Sequence, residues 1–80
     1  MFWNYFNTIM NGLIQDNMVG QDFSVDDLCV IYLNKHSPIG FADFFYNQVI
    51  TGHANYHQHG VIIIRQRNPA KKQNRRYLWV

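Results

Sequence analysis

Residues 60–80 read GVIIIRQRNPAKKQNRRYLWV and hold six of the seven Lys and Arg side chains of an 80-residue chain. The run from Val61 to Arg67 opens with four β-branched residues. Asn68 to Asn74 is polar and contains Pro69, and Arg75 to Val80 returns with Tyr77 and Trp79 alternating with Leu78 and Val80. That pattern predicts a β-hairpin with strands over 61–67 and 75–80. Two strands alone are marginal in water, so one face of the hairpin must pack on the rest of the chain. Tyr77 and Trp79, at alternating positions, are expected to face that core rather than stack on bases.

Working back from the hairpin, the chain reads as helical. Phe2, Phe6, Ile9, Met10, Leu13 and Ile14 recur at three- and four-residue spacing, with Asn4, Asn7, Asn11 and Gln15 opposite, which predicts a first helix over about 2–17. Gly12 weakens it by up to ~1 kcal/mol relative to Ala, and the polar stretch around Gly20 ends it. Ser24 to Asp27 reads SVDD, a Ser cap with Asp three residues on, and predicts a second helix over about 24–35. Phe23 and Leu28 fit a hydrophobic staple across that start, Ile31 and Tyr32 continue the buried face, and Lys35 suits the negative end of the helix dipole. Ser37-Pro38 repeats a start signal, so a third helix is expected over about 38–51, with Phe41, Ala42, Phe44, Phe45 and Val49 as its apolar side and Gly52 as its stop. Only His36 and Ser37 would then separate helices two and three, as in a helix-turn-helix unit. Residues 53–60, HANYHQHG, fit an extension of the third helix, a further turn, or a loop leading to the hairpin.

The whole reads as a single α+β domain over residues 1–80. So short a chain buries only about 60% of the surface its unfolded form exposes. Its core is accordingly rich: 48% of residues are hydrophobic and 16% aromatic. Only 15% are charged, against a usual ~25%, so part of the aromatic surface is expected to be covered by a second copy. The expected patch of a two-fold homodimer is Phe2, Trp3, Tyr5 and Phe6 on the first helix, where Trp3 and Tyr5 fall partly off the buried stripe.

The single Cys29 allows no intramolecular disulfide, no apolar run approaches the roughly 20 residues of a membrane helix, and MFWNYFN lacks the basic start of a secretory signal. These features read as a cytoplasmic protein. Charge is unevenly spread: residues 1–60 carry Lys35 against five Asp, and residues 61–80 carry Arg65, Arg67, Lys71, Lys72, Arg75 and Arg76 with no acid. Such asymmetry points to a local surface for a polyanion.

In its order of helix, helix, short turn, helix and basic hairpin, the chain resembles the winged helix-turn-helix superfamily. The stretch from His59 to Val80, HGVIIIRQRNPAKKQNRRYLWV, is similar to the wing of MarR-type regulators, where a Gly and an aliphatic pair precede an Arg-bearing strand, a polar loop and an Arg-containing return strand. The resemblance implies a fold of three helices and a wing, and binding to double-stranded DNA. One departure stands out: the third helix carries no Lys or Arg, and has Asp43 and several aromatics where the family presents polar and basic groups. Either Asn47, Gln48 and Thr51 with the following HANYHQH segment read the bases, or this helix is not a recognition helix.

The chemistry available is that of binding. Arg65 and Arg67 lie two residues apart and share a strand face, with Lys71, Lys72, Arg75 and Arg76 at the turn and its exit; guanidinium forks suit phosphate oxygens. The plainer alternative is a solvated edge strand kept from aggregating by its cations. Asn47, Gln48, Thr51, Asn55, His57 and Gln58 are the candidates for base contact. His53, His57 and His59 could in principle hold zinc, but no Cys pair or H-E-x-x-H pattern accompanies them, so neither metal nor cofactor is expected. Cys29 and His36 lie about two helical turns apart, too far for a nucleophile and its base, and Ser24, Ser37, Asp26 and Asp27 are explained by capping and the helix dipole. The expected function is that of a small, dimeric DNA-binding protein, a transcriptional or replication/partition regulator, and no enzyme. The alternative is a small protein-binding inhibitor or adaptor on the same fold, using the aromatic third helix or the hairpin.

Overall fold

Helix α1 (Phe2–Gln15), strand β1 (Asp22–Phe23), helices α2 (Val25–Leu33) and α3 (Phe41–Ile50), and strands β2 (Ile62–Ile64) and β3 (Tyr77–Trp79) follow one another in a computed structural model. It describes residues 1–52, the backbone of 62–64, and 75–80. The fold is α+β, three helices over a small antiparallel sheet of order β1-β3-β2.

The stripe read on α1 is the one it buries: Phe6, Ile9, Met10 and Leu13 are fully covered, with Phe2 and Ile14 packed at the margin. Its helix stops at Gln15, where Asp16 caps and Asn17 turns left-handed at φ 52°. The capping box of α2 forms in full. Ser24 Oγ accepts from the Asp27 N–H and Asp27 Oδ2 accepts from the Ser24 N–H, both at 3.1 Å. Phe23 and Leu28 are both buried in the core, as the staple requires.

Several expectations are corrected. Helix α2 ends at Leu33, not Lys35, because Asn34 adopts the left-handed conformation at φ 58°, a position Asn tolerates better than most residues. Lys35 therefore serves no helix end; its Nζ donates to the Tyr5 hydroxyl at 2.7 Å and lies 4.2 Å from the centre of that ring. The buried face of α2 is Val25, Leu28 and Cys29, whereas Ile31 points outward and is 57% exposed.

Helix α3 begins at Phe41 rather than Pro38. Gly40 sits at φ 88°, ψ −15°, and the Phe41 N–H donates to the Pro38 carbonyl at 3.0 Å. That is a type II turn with its obligatory glycine third, so Ser37-Pro38 starts a turn and not a helix. The link between α2 and α3 accordingly spans residues 34–40, longer than the two-residue connection expected for a tight helix-turn-helix.

Strand β1 was not foreseen. It has two residues, and what defines it is a partner far along the chain: Asp22 pairs with Leu78 and Phe23 with Tyr77. The Gly20 N–H donates to the Trp79 carbonyl at 2.7 Å and the Trp79 N–H to the Gln21 carbonyl at 3.1 Å, extending the ladder. The hairpin pairing is antiparallel, with Ile62 opposite Trp79, Ile63 opposite Leu78 and Ile64 opposite Tyr77. β3 is thus the central strand, and Tyr77 and Trp79 are wholly buried. The expected strand residues 61 and 65–67, the turn at 68–74 and the segment 53–60 lie outside the described residues.

A net of aromatic rings joins α1, α3 and β3. Phe2 meets Phe41 and Phe44 at 5.5 Å between centroids, Phe6 meets Phe45 at 5.6 Å, and Phe45 meets Tyr77 at 5.0 Å. Aromatic pairs at such tilted or edge-on angles add roughly 0.5–1.5 kcal/mol each beyond the area they bury.

Candidate nucleic-acid interface

The question posed by the charge pattern is where the six cations stand relative to α3. Helix α3 packs against β2, and its Phe45 and Tyr46 face the start of β3. Helix and hairpin base therefore adjoin one another. Arg65, Arg67, Lys71 and Lys72 fall in the chain that connects β2 to β3, outside the described residues, as do Asn55, His57 and Gln58 and the histidines His53 and His59.

Arg75 and Arg76 are described, and both are engaged by this chain's own groups. The Arg75 side chain is only 10% exposed; its guanidinium lies 3.4 Å from Asp43 Oδ1 and 3.9 Å above the centre of the Tyr46 ring. A cation so placed is held by a carboxylate and an aromatic face together, and it ties α3 to the entrance of β3. Asp43, the residue least suited to a DNA-reading helix, has its place in this contact. Arg76 points the other way and bridges Asp22 at 3.4 Å and Asp27 at 3.5 Å, spanning β1 and the first turn of α2.

The signal for this division was present in the sequence. Side chains two apart on an extended chain share a face, so Arg75 has the parity of the buried Tyr77 and Trp79 while Arg76 has that of Leu78. The partners Asp43, Tyr46, Asp22 and Asp27 carried no local signal, because each is more than 25 residues away in the chain.

On α3, Asn47 and Thr51 are exposed and Gln48 is half-buried, so the three expected base-contact residues share the outer side of the helix end. The Thr51 hydroxyl donates to the Asn47 carbonyl at 2.7 Å, which orients it. The ring-bearing residues of the same helix turn inward: Phe41 and Phe45 are buried and Phe44 is packed against Phe2 and Trp3.

The aromatics expected at a dimer contact divide. Phe6 is buried within its own chain, and Phe2 and Tyr5 are half-covered by α3 and Lys35. Only Trp3 keeps a broad exposed surface, 47%, while also standing edge-on to Phe44. Phe6 is therefore not available to a second copy.

Cys29 is buried and burial pushes its thiol above the ordinary value, the opposite of an activated thiolate. Among the described residues no group of His, Cys, Asp and Glu is placed to hold a metal ion, and no helix is long and apolar enough to cross a membrane. No protein-family model, no curated protein and no solved structure matches the chain.

Proposed function

We propose that this is a small DNA-binding protein of the winged-helix type, a transcriptional or replication/partition regulator that grips duplex DNA with the outer side of α3 and the basic connection between β2 and β3. One observation carries the reading: α3 packs against β2, so the helix bearing Asn47, Gln48 and Thr51 adjoins the strand pair whose connection contains Arg65, Arg67, Lys71 and Lys72. The element order, with a short β1 added to the edge of the hairpin at β3, is in keeping with a winged helix. The phosphate-binding role falls to these four cations. Arg75 and Arg76 act as the rivets that fix the root of the arm, one to α3 and one to β1 and α2.

A second reading, a protein-binding inhibitor or adaptor, draws on the fact that both described arginines of the segment already bind carboxylates, the groups an acidic protein surface would offer. Titration of random-sequence duplex DNA against the parent and a Lys71→Ala, Lys72→Ala variant separates the two. A DNA binder loses affinity in the variant and in raised salt. Absence of any binding by the parent at low salt would leave the protein-binding reading in its place.

A further inference from the structure

One side of α3 is not used by the core. Asp43, Tyr46, Asn47, Ile50 and the capping Thr51 follow one another at three- and four-residue spacing, so they are neighbours along that side. Arg75, where the basic connection re-enters β3, lies against the first part of this stripe, 3.4 Å from Asp43 Oδ1 and 3.9 Å from the centre of the Tyr46 ring. The rest of it, Asn47, Ile50 and Thr51, is exposed, and Ile50 keeps 56% of its surface open. The open end of the stripe therefore begins beside the root of the basic arm.

On the DNA-binding reading above, on which this inference rests, that open end meets base edges in the major groove, which is wide enough to admit a helix. Guanine is read there by a Lys or Arg on O6 and N7, and cytosine by a carboxylate on its amino group. Helix α3 has no Lys or Arg, and its one carboxylate, Asp43, is held by Arg75. What remains matches the other base pair. An amide suits the N6 donor and N7 acceptor of adenine, and an apolar side chain suits the 5-methyl group of thymine. We infer that the outer end of α3 reads A·T steps, with Asn47 on adenine and Ile50 on the methyl group of a nearby thymine. Side chains three apart on a helix stand about 5–6 Å from each other at Cβ, a span of one to two base steps of about 3.4 Å.

The test titrates the full chain, at one low salt concentration, against alternating duplexes of equal length: A·T, A·T with deoxyuridine for thymine, A·T with 7-deazaadenine for adenine, and G·C. The parent is expected to bind the A·T duplex roughly tenfold more tightly than the G·C duplex. Deoxyuridine lacks only the methyl group and is expected to weaken binding by about fourfold, the worth of one buried carbon. 7-Deazaadenine lacks the N7 acceptor and is expected to weaken it by about fivefold, the worth of one hydrogen bond. Ile50→Ala should no longer distinguish thymine from deoxyuridine, and Asn47→Ala should no longer distinguish adenine from 7-deazaadenine. Both variants should keep the parent's salt slope, since neither side chain meets a phosphate. The base analogues act on the unmodified protein, so a variant that fails to fold does not obscure the result. A parent that binds all four duplexes equally, prefers G·C, or prefers A·T while ignoring both analogues overturns the inference and leaves the DNA-binding reading standing. A parent that binds no duplex overturns both.

Discussion

The ring of Tyr32 on α2 fills the space above Gly12 on α1, so closely that a Cβ at position 12 would overlap the ring carbons Cδ1 and Cε1. Beyond the ring, the Tyr32 hydroxyl donates to Asp16 Oδ2 at 2.9 Å, so the side chain is held at both ends. The two helices approach at that point because the residue there has no side chain.

Gly12→Ala should therefore destabilise the protein even though alanine is the better helix former. The propensity gain is up to ~1 kcal/mol, while overlap with a held ring costs about 1–3 kcal/mol, so the net loss expected in urea unfolding is of order 1 kcal/mol. In a Tyr32→Ala background the clash is gone and the same substitution should become neutral or stabilising. A Gly12→Ala variant as stable as the parent would mean that α1 and α2 do not meet in this way.

Alkaline titration should single out two tyrosines. Burial first, and the hydrogen bond to Asp16 second, push Tyr32 up to about 12, and burial pushes Tyr77 up to about 12. Both folded values lie above the ordinary value of 10.0. Their contribution to stability is thus complete below about pH 10 and is lost as pH rises through about 12. Tyrosinate absorbance should show both ionising late, and a Tyr32→Phe, Tyr77→Phe variant should lose less stability than the parent between pH 9 and pH 12, a range set by those shifts.

At the acid end the group to watch is Asp26. Its carboxylate accepts the Ser37 N–H at 2.9 Å and contacts His36 Nδ1 at 3.0 Å, and these bonds, the first foremost, hold it below its ordinary value of 3.8. Its contribution is present above that value and lost as pH falls through the lower folded one. Because Asp26 is half exposed, Asp26→Ala should cost about 1 kcal/mol or less at neutral pH, measured by urea unfolding. The difference between variant and parent should vanish in strong acid.

Tyr77 offers a test of the core. Its hydroxyl is buried and has no hydrogen-bond partner among the described residues, while its ring packs on Phe45. Tyr77→Phe should be neutral or stabilising by up to about 1 kcal/mol, because it removes an unpaired polar group and keeps the ring. Tyr77→Ala should cost about 3–5 kcal/mol in thermal or chemical unfolding.

The helices and the hairpin could be read from the chain because their signals are local: the apolar spacing in α1, the SVDD cap of α2, the β-branched run at Ile62–Ile64. What escaped reading was decided at a distance. β1 exists because Asp22 and Phe23 meet Leu78 and Tyr77, and no pattern in a two-residue strand announces that. The start of α3 has no unique local signal, because Ser37-Pro38 fits both a helix start and a turn, and Gly40 at positive φ decides for the turn. Of the candidate site, the charge asymmetry was plain, and so were the outward Asn47 and Thr51. That Arg75 and Arg76 bind aspartates was not, since a sequence shows cations without showing which carboxylates fold back to them.

The central claim, that four cations between β2 and β3 meet DNA phosphates while Arg75 and Arg76 are tied within the fold, is tested most directly by the salt dependence of duplex binding. With four phosphate contacts the logarithm of affinity should fall with the logarithm of salt at a slope of roughly −3 to −4. Lys71→Ala with Lys72→Ala should flatten it by nearly two, whereas Arg76→Ala should leave the slope unchanged. No binding at low salt, or a slope indifferent to the loss of both lysines, would contradict the account.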